Sequence, residues 1–153
     1  MWYTYALGFL YALGAGLIFI KPAADLMDEL VQPNKPQEHV WQTPIIATIE
    51  RVLYISSLLM GYAAFIAFWV GLKIAIDYPR WRKNRTIFLN SLTGNGLSIL
   101  YAVVGYMIIV WMKSKDWAHA IVVPVLLILG NISLLLYLKW QGRKAKPLQK
   151  PTK

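Results

Sequence analysis

The chain has 153 residues, 58% of them hydrophobic and only 15% charged, with a formal net charge of +9. A soluble domain of this length carries about 25% charged residues, so the composition argues against an ordinary water-soluble fold. The absence of cysteine excludes disulfides, thiolate metal sites, CxxC redox chemistry and iron–sulfur clusters.

Four apolar segments carry the hydrophobicity, at residues 1–20, 52–72, 87–112 and 120–138. Runs of about 20 residues match a hydrocarbon core of about 30 Å at 1.5 Å per helical residue. The expected fold is therefore all-α, a four-transmembrane-helix integral membrane bundle over residues 1–140. An outer loop fills residues 21–51 and a basic tail residues 141–153. The first segment has no charge and no basic stretch ahead of it, and exceeds the apolar core of a signal peptide, so it reads as a retained span.

Lys21-Pro22 marks the expected end of the first helix. Ala23, Met27, Leu30 and Val31 then recur at helical spacing beside Asp25, Asp28 and Glu29, which suggests a short acidic amphipathic helix lying on the membrane surface. Pro33, Pro36 and Pro44 interrupt the rest of the loop, and Trp41 is expected at headgroup level before the second helix. Glu50 and Arg51 then stand at the outer mouth of the second span, as boundary charges that are solvated or paired locally. No charge falls in the middle of an expected span, which speaks against a proton relay or an ion-coupled transporter.

Lys73, Arg80, Arg82, Lys83 and Arg85 follow the second segment, and Lys139, Arg143, Lys144, Lys146, Lys150 and Lys153 follow the fourth. These two places hold eleven of the 16 basic residues, whereas the first loop sets three bases against five acids. Basic loops remain cytoplasmic, so four crossings put both termini in the cytoplasm of a cell inner (cytoplasmic) membrane. The charge describes topology, and no nucleic-acid partner is expected. Arg80, Arg82, Lys83 and Arg85 are candidate contacts for anionic lipid, and the tail is expected to be disordered against the same headgroups. Trp2, Tyr3, Tyr5, Trp69, Tyr78, Trp81, Trp111, Trp117, Tyr137 and Trp140 fall where interfacial belts are expected.

Small residues recur every four positions as Gly8, Ala12 and Gly16, as Ala63, Ala67 and Gly71, and as Gly94, Ser98 and Ala102. Such stripes let helix backbones approach closely. They pack the helices of one protomer, or one stripe, most simply the first, serves as an interface with another chain. The third helix also carries Asn90, Ser91, Asn95 and Ser98, and the fourth carries Asn131. Asn95 and Asn131 fall at similar depths, about 10–13 Å from the cytoplasmic ends. They form either an interhelical hydrogen bond or a polar pocket open to the cytoplasm, with Gly94 and Gly96 allowing local unwinding.

His39 and His119 fall on one side of the expected topology, but no spacing demands metal or haem, and neither cofactor nor metal is expected. No nucleophile elbow, HExxH or Walker loop occurs, and no catalytic set is assigned. The leading expectation is a non-enzymatic accessory, assembly or protective subunit. It would act by helix packing among membrane lipids, bound to another membrane protein or to itself. The alternatives are a small homo-oligomeric channel or transporter lined by the Asn90–Ser98 face, and a membrane-embedded enzyme acting on lipid or quinone.

Overall fold

The computed structural model describes residues 2–31, 42–83 and 85–145. They form five helices: α1 (Trp2–Val31), α2 (Gln42–Leu59), α3 (Ala64–Lys83), α4 (Arg85–Lys113) and α5 (Trp117–Ala145). No strand occurs among the described residues. Among the described residues, three stretches are long and apolar enough to cross a membrane, Trp2–Ile20, Ser91–Lys113 and Trp117–Trp140. The all-helical fold expected from the sequence is present among the described residues, but as five helices, three of them apolar enough to span a membrane.

The difference lies in the second apolar run. Residues 52–72 are not one span, because the helix stops at Leu59 and restarts at Ala64. Gly61 adopts a φ of 79°. Its N–H bonds the Leu58 carbonyl at 3.1 Å, and the Tyr62 N–H bonds the Ser57 carbonyl at 2.8 Å. This pair of bonds is the Schellman arrangement, which satisfies carbonyls left open at a helix C-terminus and suits glycine at the left-handed position. Arg51 of α2 then lies beside Gly16, and Ile55 beside Gly105. α3 returns antiparallel, so α2 and α3 form a helical hairpin.

Two other boundaries move. α1 continues through Pro22 to Val31. The acidic segment is thus an unbroken continuation of α1, eleven residues or about 16 Å beyond Ile20, in place of a separate helix. A proline near the outer end of a helix frees one carbonyl at a level where water can bond it, so the helix need not stop. α5 runs five residues into the expected tail. Residues 146–153, together with Pro33, Pro36, His39 and Trp41, lie outside the described residues.

The core is the contact between α1 and α4. Tyr5 accepts a hydrogen bond from Lys113, whose ammonium also sits 4.2 Å above the Tyr5 ring. The Phe19 and Tyr101 rings meet at a centroid distance of 6.5 Å, tilted by 30°. Between these ends, Gly8 meets Gly105 backbone to backbone: a β-carbon on Gly105 would stand 2.6 Å from the Gly8 carbonyl oxygen. Ala12, Tyr54, Ile55, Ala102 and Ile109 bury completely around this crossing. α5 packs antiparallel to α4, with Ala120 beside the Met112 cluster and Leu135 beside Tyr101. α1 and α5 are therefore parallel, and Trp2 lies at the opposite end of the bundle from the end of α5.

α4 ends in a second Schellman turn, with Lys115 in the left-handed position at φ 63°. The Asp116 N–H bonds the Trp111 carbonyl at 2.8 Å. Asp116 then caps α5 by accepting from the His119 N–H at 3.4 Å.

The glycine contact and the Lys115 turn each predict a stability change measurable by unfolding in mixed detergent micelles. Gly8→Ala forces its β-carbon onto the Gly105 carbonyl and Ile109, and costs about 1–3 kcal/mol as overpacking at a backbone contact that cannot yield. Lys115→Gly relieves a left-handed residue and adds about 0.5–1 kcal/mol.

Candidate functional site

The hairpin brings together charges that the sequence places at opposite faces of the membrane. Glu50 and Lys73 are 23 residues apart, about 34 Å along a continuous helix. In the structure Lys73 Nζ is 2.7 Å from Glu50 Oε1. Trp69, expected in an aromatic belt, turns into the bundle, and its Nε1 donates to the same oxygen at 3.1 Å. Lys73 also donates to Asn95 Oδ1 at 2.6 Å, and Asn95 Nδ2 donates weakly to Ser91 Oγ at 3.4 Å. A polar chain thus links three helices, from Glu50 on α2 through Lys73 on α3 to Asn95 and Ser91 on α4.

Glu50 and Arg51 are 2% and 1% exposed, which overturns their reading as solvated boundary charges. Arg51 points away from Glu50, toward α1. Its Nη2 donates to Thr48 Oγ1 at 3.1 Å. Its guanidinium lies flat against Gly16, where a β-carbon would overlap it. Arg51 Nε and Nη1, and the hydroxyls of Tyr11, Tyr54 and Tyr101, are buried without a hydrogen-bond partner. With Glu50 and Lys73 paired, Arg51 leaves the buried group with one net positive charge.

The depth of this group can be read from the helices around it. Gly16 lies four residues inside Ile20, and Asn95 four residues inside Ser91, the ends of the two apolar stretches. Both lie about 6 Å, one helical turn, inside the end of an apolar stretch. At that depth charges require partners, and the interior of a protein supplies them where lipid does not.

The other residues expected to matter are dispersed over the bundle. Ser98 is 1% exposed and faces the bundle with Asn95, whereas the side chain of Asn90 lies outside the described residues. Asn131 donates to the Leu127 carbonyl of its own helix at 2.7 Å and does not join Asn95. Gly8, Ala12 and Gly16 are used inside the protomer, as are Ser98 and Ala102. Ala63 sits in the turn, and Ala67 and Gly71 are exposed on α3. Arg82 is exposed, and the side chains of Arg80, Lys83 and Arg85 lie outside the described residues. His119 Nδ1 is 2.7 Å from Asp116 Oδ2 at the mouth of α5, and this bond lowers the Asp116 pKa below its ordinary value.

A groove of about 570 Å³ runs between α3 and α4, walled by Ile74 and Leu92, floored by Gly96, and reaching Arg82 at one end. Asn95 lines it as well, so the polar chain touches its side.

Sequence reasoning missed Lys73 and Trp69 as partners of Glu50. The available signal was Gly61 inside the apolar run: Glu50 and Lys73 are equidistant from the Gly61–Tyr62 bond, as two residues facing across a hairpin must be. No family model, curated protein or solved structure matches this chain.

The ion pair makes a specific double-mutant prediction. Lys73→Met leaves the Glu50 carboxylate buried and costs about 3 kcal/mol, the low end for a broken buried pair because Lys73 is 23% exposed. Adding Glu50→Gln recovers most of that loss, since the amide oxygen still accepts from Trp69 and position 50 no longer holds an unpaired carboxylate. Denaturation of the two single variants and the double variant in detergent reads the coupling directly; additive losses would contradict it.

Proposed function

We propose that this protein is a non-enzymatic accessory subunit of a membrane assembly that engages its partner through the outward face of α3. The observation that carries this reading is a contrast between small-residue stripes. Gly8, Ala12 and Gly16 on α1 and Ser98 and Ala102 on α4 are buried within the protomer, while Ala67, Gly71 and Ala75 on α3 recur every four residues and are all exposed. A small-xxx-small ridge left uncovered lets a second helix approach closely enough for dispersion contacts to hold it in lipid.

Orientation follows from the same bundle. The start of α4, the end of α3 and the end of α5 share one end, and with them lie the basic residues 80–85 and 139–144. The opposite end carries Trp2 and the turn around Lys115. Positive charge retained in the cytoplasm then sets the N-terminus outside and the C-terminus inside, in a cell inner membrane. The two termini on opposite sides replace the shared cytoplasmic side expected from four crossings.

A second reading, a channel or transporter, is supported by the polar chain through Lys73 and Asn95 and by the unpartnered donors of Arg51. It requires that Asn95→Leu abolish solute flux in liposomes while the bundle remains folded.

The absence of native cysteine allows labelling at single introduced thiols. Gly71→Leu is expected to abolish co-extraction of a membrane partner in native lipid nanodiscs, while Gly94→Leu on α4, also in open space, leaves it intact. A strictly monomeric wild type with no co-extracted protein defeats the accessory reading. For orientation, Ser114→Cys should react with an impermeant maleimide on intact cells and Lys139→Cys only after permeabilisation; the reverse pattern defeats the assignment.

A further inference from the structure

We infer that the groove between α3 and α4 is a binding site for one anionic phospholipid, with an acyl chain along the groove and the phosphate on Arg82. The inference does not depend on the accessory reading or on which side of the membrane the basic end faces.

Three observations support it. The first is chemistry. The walls are aliphatic and aromatic, as an acyl chain requires, and the one cation in the lining among the described residues is the exposed guanidinium of Arg82 at the rim. A guanidinium recognises phosphate by paired, charge-assisted hydrogen bonds, which a zwitterionic headgroup weakens by bringing its own cation. Arg80, Lys83 and Arg85 surround this end in sequence and add to the same positive field.

The second observation is depth. Lys73 belongs to the group lying about 6 Å inside the apolar boundary, and Arg82 is nine residues further along α3, about 13 Å. Arg82 therefore stands about 7 Å outside the hydrocarbon, within the headgroup layer, where phosphates lie. From there to Val70, at the deep end beside Ile99, is twelve residues of α3, about 18 Å. That end lies about 11 Å into the hydrocarbon, short of the midplane at about 15 Å. The groove has the length and depth of a lipid in one leaflet.

The third is the floor. Gly96 lines the groove, is exposed, and has nothing within 4 Å of where its β-carbon would stand. The missing side chain leaves a channel in a helix surface that leucine or isoleucine would close. At about 570 Å³ the space is within the usual range of about 300–1,000 Å³ for small-ligand sites.

Native mass spectrometry of the full-length protein, delipidated and titrated with palmitoyl-oleoyl phosphatidylglycerol or the matching phosphatidylcholine, tests the site. The expected result is a single phosphatidylglycerol adduct, favoured over phosphatidylcholine by about tenfold, the value of one charge-assisted contact. Arg82→Gln should remove that preference. Gly96→Leu should remove the adduct while leaving the thermal unfolding transition in place, because leucine is a better helix former than glycine. Ile74→Trp, which narrows the groove from α3, provides an independent filling variant should Gly96→Leu misfold. Equal binding of the two lipids overturns the proposal. So does an undiminished phosphatidylglycerol adduct in a folded groove-filling variant, which would place the lipid on the basic surface alone.

Discussion

The ion pair between Glu50 and Lys73 is the constraint on which the rest of the arrangement depends. A lone Glu or Lys at the centre of a membrane helix costs about 2.5–3.5 kcal/mol by insertion measurements, and less near the boundary. Neither α2 nor α3 reaches the apolarity of a spanning stretch, since Glu50 and Arg51 interrupt the first and Lys73 and Asp77 the second. Pairing Glu50 with Lys73 cancels two charges that α2 and α3 would otherwise carry unpaired. The Trp69 indole and the Asn95 amide then satisfy further donors and acceptors of the pair. The hairpin is thereby fixed to α4 as well as closed on itself.

Much of the architecture is legible from periodicity and charge. The ends of α4 and the start of α5 fall within a few residues of the apolar runs, because in those stretches hydrophobicity and helix length agree. The inward face of Ser91, Asn95 and Ser98 is legible too, since positions spaced by three and four residues share a face whatever the neighbour is. Hidden from the sequence is which neighbour they meet. Asn131 is expected from the sequence at a comparable depth to Asn95, but its amide bonds the carbonyl four residues back on its own helix. Lys73 reaches Asn95 from α3, a helix that exists separately only because the chain turns at Gly61.

That turn is where the linear reading fails, for an identifiable reason. Hydropathy averages over a window and registers residues 52–72 as a single apolar run, while a Schellman turn is set by one glycine and two backbone hydrogen bonds. One added helix boundary changes the parity of the whole chain. It returns the basic residues 80–85 to the same end as the start of α2, and it puts Trp2 and the end of α5 at opposite ends of the bundle. The positive charge marks the same end of the bundle in either reading, and only the number of helices between the N-terminus and that end differs.

α3 consequently has three different surroundings around its circumference. Its inner face holds Lys73 and Trp69 in the polar chain, one edge forms the groove with α4, and the outer face presents Ala67, Gly71 and Ala75. α1, α4 and α5 each carry a stretch long and apolar enough to cross a membrane, and α1 and α4 pack closely at Gly8 and Gly105. The hairpin has no such stretch among its described residues. Separated from the bundle, it would expose to lipid Arg51, which Gly16 now covers, and would lose the bond from Lys73 to Asn95. Its stability is therefore conditional on docking, and anything bound in the α3–α4 groove or on the α3 ridge shares in that docking equilibrium. The least apolar helix pair in the protein is the part whose position its environment can most readily influence.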